Sequence, residues 1–181
     1  ITSTLDYIYP DRDYTYNSFG QTGIIQTPSA NVSDEGSLYF NLNRNDIWKI
    51  GTLTVSPFDW LEASYFYYRP DDLNWYCCDY LIGKGDYLDK GFNVKFSYKP
   101  NHKKLPNFSI GLDDFAGTGY FAREYVVLTK NSNFFNISIG LGWCKFSNEH
   151  NTKNPLSFIK ESFSDRPIIS KNLELGGVPL Y

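Results

Sequence analysis

The stretch Phe92-Asn93-Val94-Lys95-Phe96-Ser97-Tyr98-Lys99 decides the fold class, because apolar and polar residues alternate along it without a break. A period of two residues is typical of a β-strand with one apolar face. No stretch of the chain has a convincing helical period, so the sequence predicts an all-β fold of seven strands. The alternation recurs in residues 37–43, 60–69, 108–113 and 135–143, and less regularly in residues 47–55 and 120–130.

The connections between the predicted strands differ in length, as they do in membrane barrels. A tight turn at Pro57 is followed, one strand later, by a long connection over residues 70–90 that is rich in Asp, Tyr and Gly. Outer-membrane barrels have short periplasmic turns and longer outer loops, and their strands need about 9–11 residues to cross a bilayer. The sequence predicts an N-terminal segment with a turn and a short strand, an antiparallel barrel part, and an irregular tail leading towards further strands, which are residues 1–36, 37–146 and 147–181.

An antiparallel sheet with one apolar face fits either a soluble sandwich or a membrane barrel. Two features favour the barrel. Aromatic residues gather at strand ends, as in the girdles at the two membrane interfaces. The polar face carries small residues where a soluble surface would carry more Lys and Glu. The small residues are Ser97, Ser109, Gly111, Ser138, Gly140 and Gly142.

The composition excludes several classes of function. The net charge is −3 and the 17 basic residues are scattered, so nothing supports nucleic-acid binding. Aromatic residues make up 18% of the chain, yet the mean hydropathy is −0.40 and no stretch approaches the roughly 20 apolar residues of a spanning helix. The two histidines, His102 and His150, lie in polar turn-like segments, so we predict no metal site and no cofactor.

Five motifs, in the same order along the chain, resemble the YjbH/GfcD family of exopolysaccharide- and capsule-associated outer-membrane proteins. They are FGQTGIIQTPSANVSDEGSL at residues 19–38, PFDWLE at 57–62, KGFNVKF at 90–96, GLDDFAGTGYFAREYVVLTK at 111–130 and GLGW at 140–143. The third motif departs from the family pattern at Asn93, where an Asp is expected. The resemblance covers residues 19–143.

The resemblance implies an outer-membrane β-barrel encoded with genes for polysaccharide export or modification. Family members are much longer than 181 residues. We therefore expect this chain to be an N-terminal part of a larger barrel in the bacterial outer membrane. The implied partners are outer-membrane lipid, a polysaccharide, and periplasmic or outer-membrane export proteins.

Charged residues on the predicted strands are candidates for a polar network inside the barrel, since a basic residue facing lipid costs about 2–4 kcal/mol near the midplane. Glu62, Lys95 and Asp113 are assigned to this network. Arg123 and Glu124 point to opposite faces of their strand, whose phase is open, and the family resemblance favours Glu124 as the inward residue. Asp113 and Asp114 are likewise on opposite faces, with Asp114 expected in water or headgroups. They cannot share a substrate, and we predict that the protein is not an enzyme.

The long connection holds Trp75, Tyr76 and Tyr80, an aromatic group that could contact a glycan or a protein partner. The favoured hypothesis is a non-catalytic outer-membrane barrel that assists export or assembly of an exopolysaccharide or capsule. One alternative is a secreted all-β carbohydrate-binding module, which would have a dry apolar interior and a charged exterior. Another is a structural barrel, with a plugged interior, whose loops bind protein partners in a cell-surface assembly.

Overall fold

The structure, a computed structural model, describes residues 14–46, 48–70, 76–77, 80–81, 88–102, 104–117, 122–132, 134–144 and 153–164. Its strands in chain order are β1 (Gly23–Ile24), β2 (Thr27–Pro28), β3 (Ser37–Arg44), β4 (Trp48–Phe58), β5 (Leu61–Pro70), β6 (Tyr76–Cys77), β7 (Tyr80–Leu81), β8 (Asp89–Tyr98), β9 (Asn107–Asp113), β10 (Arg123–Asn131) and β11 (Asn136–Cys144). Two short 3-10 helices follow, at Pro155–Phe158 and Glu161–Ser164.

Seven of these strands form one antiparallel sheet in the order β11-β10-β9-β8-β5-β4-β3. The sheet follows the order of the chain, with the β6–β7 hairpin lying in the connection between β5 and β8. The predicted all-β antiparallel meander is therefore confirmed. Among the described residues the sheet is open, with β3 and β11 as its outer strands, and its order is that of part of an up-and-down barrel. None of the helices in the described ranges is long and apolar enough to cross a membrane.

The boundary between β4 and β5 differs from the sequence prediction. Strand β4 runs through Pro57 to Phe58, because the register shifts between Val55 and Phe58 and this irregularity accommodates a residue without an N–H donor. The tight turn is accordingly at Asp59 and Trp60. The irregular tail predicted over residues 147–181 is described only at residues 153–164, which contain the two 3-10 helices.

The two faces of the sheet have opposite character. One face, here the covered face, carries mainly small, hydroxyl-bearing and charged side chains; Thr52 and Lys95 on it are each 1% exposed. The other, here the exposed face, carries aliphatic and aromatic side chains; Leu42 is 75% and Ile139 70% exposed. This polarity is the reverse of a soluble sheet, in which the apolar face is buried.

Residues 14–34, here the covering segment, account for the burial of the covered face. The segment runs over the sheet in two limbs joined by a tight loop and the small β1–β2 hairpin. Gly20 in this loop has a φ of +78°, and an added Cβ would lie 2.6 Å from Thr52 Cβ. Only glycine combines this conformation with so close an approach to the sheet. Gln21 and Thr22, the next two residues, are almost completely buried.

The apolar contacts between the covering segment and the sheet are few. Ala30 packs with Tyr125 and Val127. Phe19 and Trp48 pack against a buried cluster formed by Ile50, Phe66 and Tyr68. These clusters are small for a sheet of seven strands. Polar contacts must therefore provide much of what holds the segment on the sheet.

Candidate functional site

The first buried ion pair of the covered face joins β5 to β8. Glu62 and Lys95 are direct cross-strand neighbours, with Glu62 Oε1 3.0 Å from Lys95 Nζ and both side chains 1% exposed. Thr22 of the covering segment contacts both partners. Its backbone N donates to Glu62 Oε1 (3.0 Å), its Oγ1 lies 2.8 Å from Glu62 Oε2, and Lys95 Nζ donates to its carbonyl (3.3 Å) and to its Oγ1. These hydrogen bonds supply the partners that a buried ion pair requires.

The second buried ion pair joins β9 to β10. Asp113 and Arg123 are cross-strand neighbours, with Asp113 Oδ2 2.5 Å from Arg123 Nη2. Gln21 of the covering segment contacts both, since its Nε2 donates to Asp113 Oδ1 (2.6 Å) and its Oε1 accepts from Arg123 Nη2 (3.3 Å). The Arg123 guanidinium also lies over the Phe19 ring, 4.4 Å from its centroid. Such a cation–π contact adds to the binding of the segment.

The two pairs form one four-charge cluster, made of Glu62, Lys95, Asp113 and Arg123. Lys95 lies opposite Gly111, which is two residues from Asp113 on the same face of β9. The cluster therefore draws on four successive strands, and its formal charges sum to zero. Gln21 and Thr22 bind one pair each. The structure thus brings together three of the residues that the sequence assigned to a polar network: Glu62, Lys95 and Asp113.

Glu124 requires a correction, because the structure does not place it in this cluster. It lies opposite Leu112 and Trp143 on the other face of the sheet, where it is 2% exposed and accepts a hydrogen bond from Asn154 Nδ2 (3.2 Å). Arg123 is the inward residue. The phase of β10 was unreadable in sequence because Tyr125 and Val127 on the covered face pack on Ala30, so apolar residues occupy both faces.

Hydroxyl groups on the covered face bind the backbone of the covering segment. Thr52 Oγ1 donates to the carbonyl of Phe19 (2.8 Å), and Thr54 Oγ1 donates to that of Gly20 (2.6 Å). At Ala30 the backbone N donates to Thr129 Oγ1 (2.7 Å), and the carbonyl accepts from Ser97 Oγ (2.5 Å). Sequence reasoning noted small residues on this face but missed their role. The sequence feature that could have indicated this role is the row of Ser and Thr residues at alternate strand positions.

The covering segment enters and leaves at the same end of the sheet. The short-turn end carries the Asp59–Trp60 turn and the start of β3; the long-loop end carries the connection over residues 71–88. At the short-turn end Tyr14 Oη donates to Asp34 Oδ2 (3.0 Å). Asn31 Oδ1 accepts hydrogen bonds from the side chains of Asn107 and Asn131, and Asn31 Nδ2 donates to Asn131 Oδ1.

The deepest point of the segment is towards the long-loop end. There Phe19 stacks on Trp48, the first residue of β4, and contacts Arg123, the first residue of β10. On β9 the contacts extend from Asn107 to Asp113, a distance of about 20 Å at about 3.3 Å per residue. Residues 14–34 thus form a re-entrant loop that covers most of the strand length.

Three other predicted features are placed differently or lie outside the described residues. Asp114 is fully buried, with a φ of +51° and its backbone N donating to Asn93 Oδ1 (2.9 Å), so its expected place in water or headgroups is wrong. The backbone N of Phe115 donates to the carbonyl of Phe92 (3.1 Å), so the chain just after β9 folds back onto β8. Trp75 lies outside the described residues. For Tyr76 and Tyr80 the structure describes only the backbone, in the β6–β7 hairpin. The described residues hold no group of three or more His, Cys, Asp or Glu suited to a metal ion.

Comparison with known proteins gives two matches. Residues 15–179 match the family model YjbH, described as exopolysaccharide biosynthesis protein YbjH. The chain is also 32% identical over 150 residues to lipoprotein YjbH of Escherichia coli (strain K12), an alignment that covers 83% of this chain and 22% of that protein. The chain thus spans about a fifth of the length of this relative. No solved structure matches it.

Proposed function

Because the chain belongs to the YjbH family of exopolysaccharide biosynthesis proteins, we propose that it is part of an outer-membrane β-barrel that assists export or assembly of an exopolysaccharide or capsule. The family resemblance seen in the five sequence motifs is confirmed by these matches. The observation that carries the membrane part of the proposal is the reversed polarity of the seven-stranded sheet.

The exposed face has the chemistry of a lipid-facing surface. Its large side chains are exposed on every strand of the sheet, and a contiguous apolar patch of this extent is rare on soluble monomers. Contact with hydrocarbon removes that surface from water. The exposed apolar residues include Leu38, Phe40, Leu42, Leu53, Phe92, Phe96, Ile110, Leu128, Ile137, Ile139 and Leu141.

The positions of charge and of aromatic rings on the exposed face support the same proposal. Its basic residues lie near strand ends, at Arg44, Lys49, Arg69, Lys90 and Lys130. At the short-turn end, Trp60 stacks on Phe58 (5.3 Å between centroids) and on Phe96 (6.2 Å). Charge-free strand centres flanked by aromatic rings are typical of barrels that cross a membrane.

The length of the strands also suits a bilayer. Along β5, Leu61 and Arg69 are about 26 Å apart at about 3.3 Å per residue. A strand tilt of about 40° reduces this to about 20 Å along the membrane normal, close to the apolar band of about 25 Å in outer-membrane barrels. The apolar stretch of the strand therefore matches the membrane that we propose for it.

A non-catalytic role is part of the proposal. Each carboxylate of the four-charge cluster, Glu62 and Asp113, is ion-paired with a cation and bonded to the covering segment. General acid–base catalysis needs a carboxylate within hydrogen-bond reach of the substrate. Both of these groups are instead occupied in holding the fold.

The proposed location is the outer membrane, and the proposed partners are its lipids, the polysaccharide, and periplasmic or outer-membrane export proteins. The name of the E. coli relative as a lipoprotein supports membrane association. The hydroxyl-rich covered face supports a polysaccharide as the ligand, since sugar hydroxyls bond readily to Ser and Thr.

A secreted carbohydrate-binding module fits less well, because its apolar face would be buried and its polar face exposed. The covering segment favours the remaining alternative, a structural barrel with a plugged interior.

The test is fractionation of cell envelopes that contain the full-length protein, followed by electrophoresis with and without boiling. We expect the protein in the outer-membrane fraction, solubilised only by detergent, and migrating differently when unboiled because a folded barrel resists SDS. Recovery in the soluble fraction, without a shift on boiling, would refute the barrel proposal.

A further inference from the structure

We propose that residues 14–34 are a displaceable plug, which occupies the polar surface of the barrel at rest and leaves it when polysaccharide binds there. This inference rests on the proposed function. It assigns the covered face as the polysaccharide-binding surface and the covering segment as its competitor. The ligand is a chain rich in hydroxyl groups.

The path of the covering segment allows it to withdraw. Both of its ends lie at the short-turn end of the sheet, where Tyr14 bonds to Asp34 and where β3 begins. The loop between them can therefore leave as a hairpin, without unthreading and without moving any strand of the sheet. A segment that entered at one end and left at the other would be unable to do so.

The contacts of the segment are of a kind that a polysaccharide can replace. Thr52, Thr54 and Ser97 each donate a hydroxyl hydrogen to a backbone carbonyl of the segment. A sugar hydroxyl can accept the same hydrogen bond, and each such bond contributes only about 0.5–1.5 kcal/mol net. An extended apolar interface would offer a sugar no such hydrogen bonds.

The four-charge cluster remains neutral when the segment leaves. Glu62 pairs directly with Lys95, and Asp113 with Arg123, across neighbouring strands of the sheet. Gln21 and Thr22 add hydrogen bonds to these pairs but carry no charge. Displacement therefore exposes two intact ion pairs, which water or sugar hydroxyls can solvate. It leaves no isolated charge on the surface, which would cost several kcal/mol.

The experiment locks the segment to the sheet with a disulfide. In the full-length protein with Cys77, Cys78 and Cys144 replaced by Ser, Ala30→Cys and Thr129→Cys are combined. The backbone N of Ala30 lies 2.7 Å from Thr129 Oγ1, which places the two residues within the span of a disulfide. A control variant joins β10 to β11 through Leu128→Cys and Ile139→Cys, which are cross-strand neighbours on the exposed face.

Two measurements are made on each variant, oxidised and reduced: polysaccharide at the surface of cells lacking the native protein, and conductance of the purified protein in planar bilayers. We expect the oxidised Ala30–Thr129 variant to lose export and conductance, both returning on reduction, while the β10–β11 variant is indifferent to oxidation. Export and conductance that persist in the fully cross-linked variant would overturn the plug. If the unaltered protein restores no export or is absent from the outer membrane, the proposed function itself fails, and the plug fails with it.

Discussion

Glu62 and Lys95 face each other across β5 and β8, with 3.0 Å between Oε1 and Nζ, on the covered face of the sheet. Leu61 and Phe96, one position along each strand, are neighbours on the opposite, exposed face. Charge inward and apolar surface outward is the arrangement that a strand needs when lipid is outside and polar groups are inside. The same alternation recurs on the other strands of the sheet, except that β4, β5 and β10 also carry some apolar side chains on the covered face.

Removing one partner of the Glu62–Lys95 pair should be costly. Lys95→Met leaves the Glu62 carboxylate buried without its cation, and breaking such a pair typically costs about 3–5 kcal/mol. The double variant Glu62→Gln with Lys95→Met should be more stable than Lys95→Met alone, since no uncompensated charge remains. Denaturant unfolding in lipid measures the free energy of unfolding of the unaltered full-length protein, the Lys95→Met variant and the double variant. Equal stability of Lys95→Met and the unaltered protein would contradict a buried pair.

Protection of the covering segment should depend on Asp113 and not on Glu124. Asp113→Asn weakens the contacts to Gln21 and Arg123, so proteolysis within residues 14–34 should become faster. Glu124→Gln changes a residue on the other face, beside Asn154, and should leave that rate unchanged. Limited proteolysis of the folded protein measures both. Equal acceleration by the two variants would mean that Glu124 also faces the segment.

Gly20→Ala should loosen the covering segment more than Gly36→Ala does. Both glycines have a positive φ, +78° and +77°, so both substitutions carry the backbone strain of an L-residue. At Gly20 the new Cβ would also meet Thr52 at 2.6 Å, whereas nothing lies within 4 Å at Gly36. We expect the free energy of unfolding to fall by about 1–3 kcal/mol for Gly20→Ala and by about 1 kcal/mol for Gly36→Ala. Similar losses at both positions would exclude a close contact with the sheet.

Gly111→Ala should be strongly destabilising and partly rescued by a smaller neighbour. An added Cβ would lie 2.0 Å from Tyr125 Cζ, and overpacking of this kind costs about 1–3 kcal/mol. Adding Tyr125→Val makes room for the methyl group, so the double variant should lose less stability than the sum of the two single variants. Strict additivity of the unfolding free energies would show that the two residues are not in contact.

The sequence predicted the strands well where only one face was apolar. Residues 92–98 and 135–143 alternate cleanly, and β8 and β11 lie where the pattern placed them. Assignment of Glu62, Lys95 and Asp113 to a common face followed from the same alternation. Alternation did not show which side chains of β10 face inward, because Tyr125 and Val127 are apolar residues that pack on Ala30 on the covered face.

The covering segment could not be predicted from its own residues. Residues 14–34 have no period, and their partners are distant in sequence: Gln21 bonds to Asp113, 92 residues away, and Ala30 to Thr129, 99 residues away. Local patterns carry no information about such pairings. Only the register of the whole sheet brings Asp113 and Thr129 to the face on which the segment lies.

The measurement that tests the central claim most directly compares Leu53 and Thr54, neighbours on β4 that face opposite sides of the sheet. A fluorophore is attached to Leu53→Cys or to Thr54→Cys in the full-length protein, lacking its other cysteines and reconstituted in vesicles of brominated lipid. We predict strong quenching by lipid bromines at position 53 and little at position 54. Equal quenching at both positions, or none at either, would contradict a sheet whose apolar face meets the membrane.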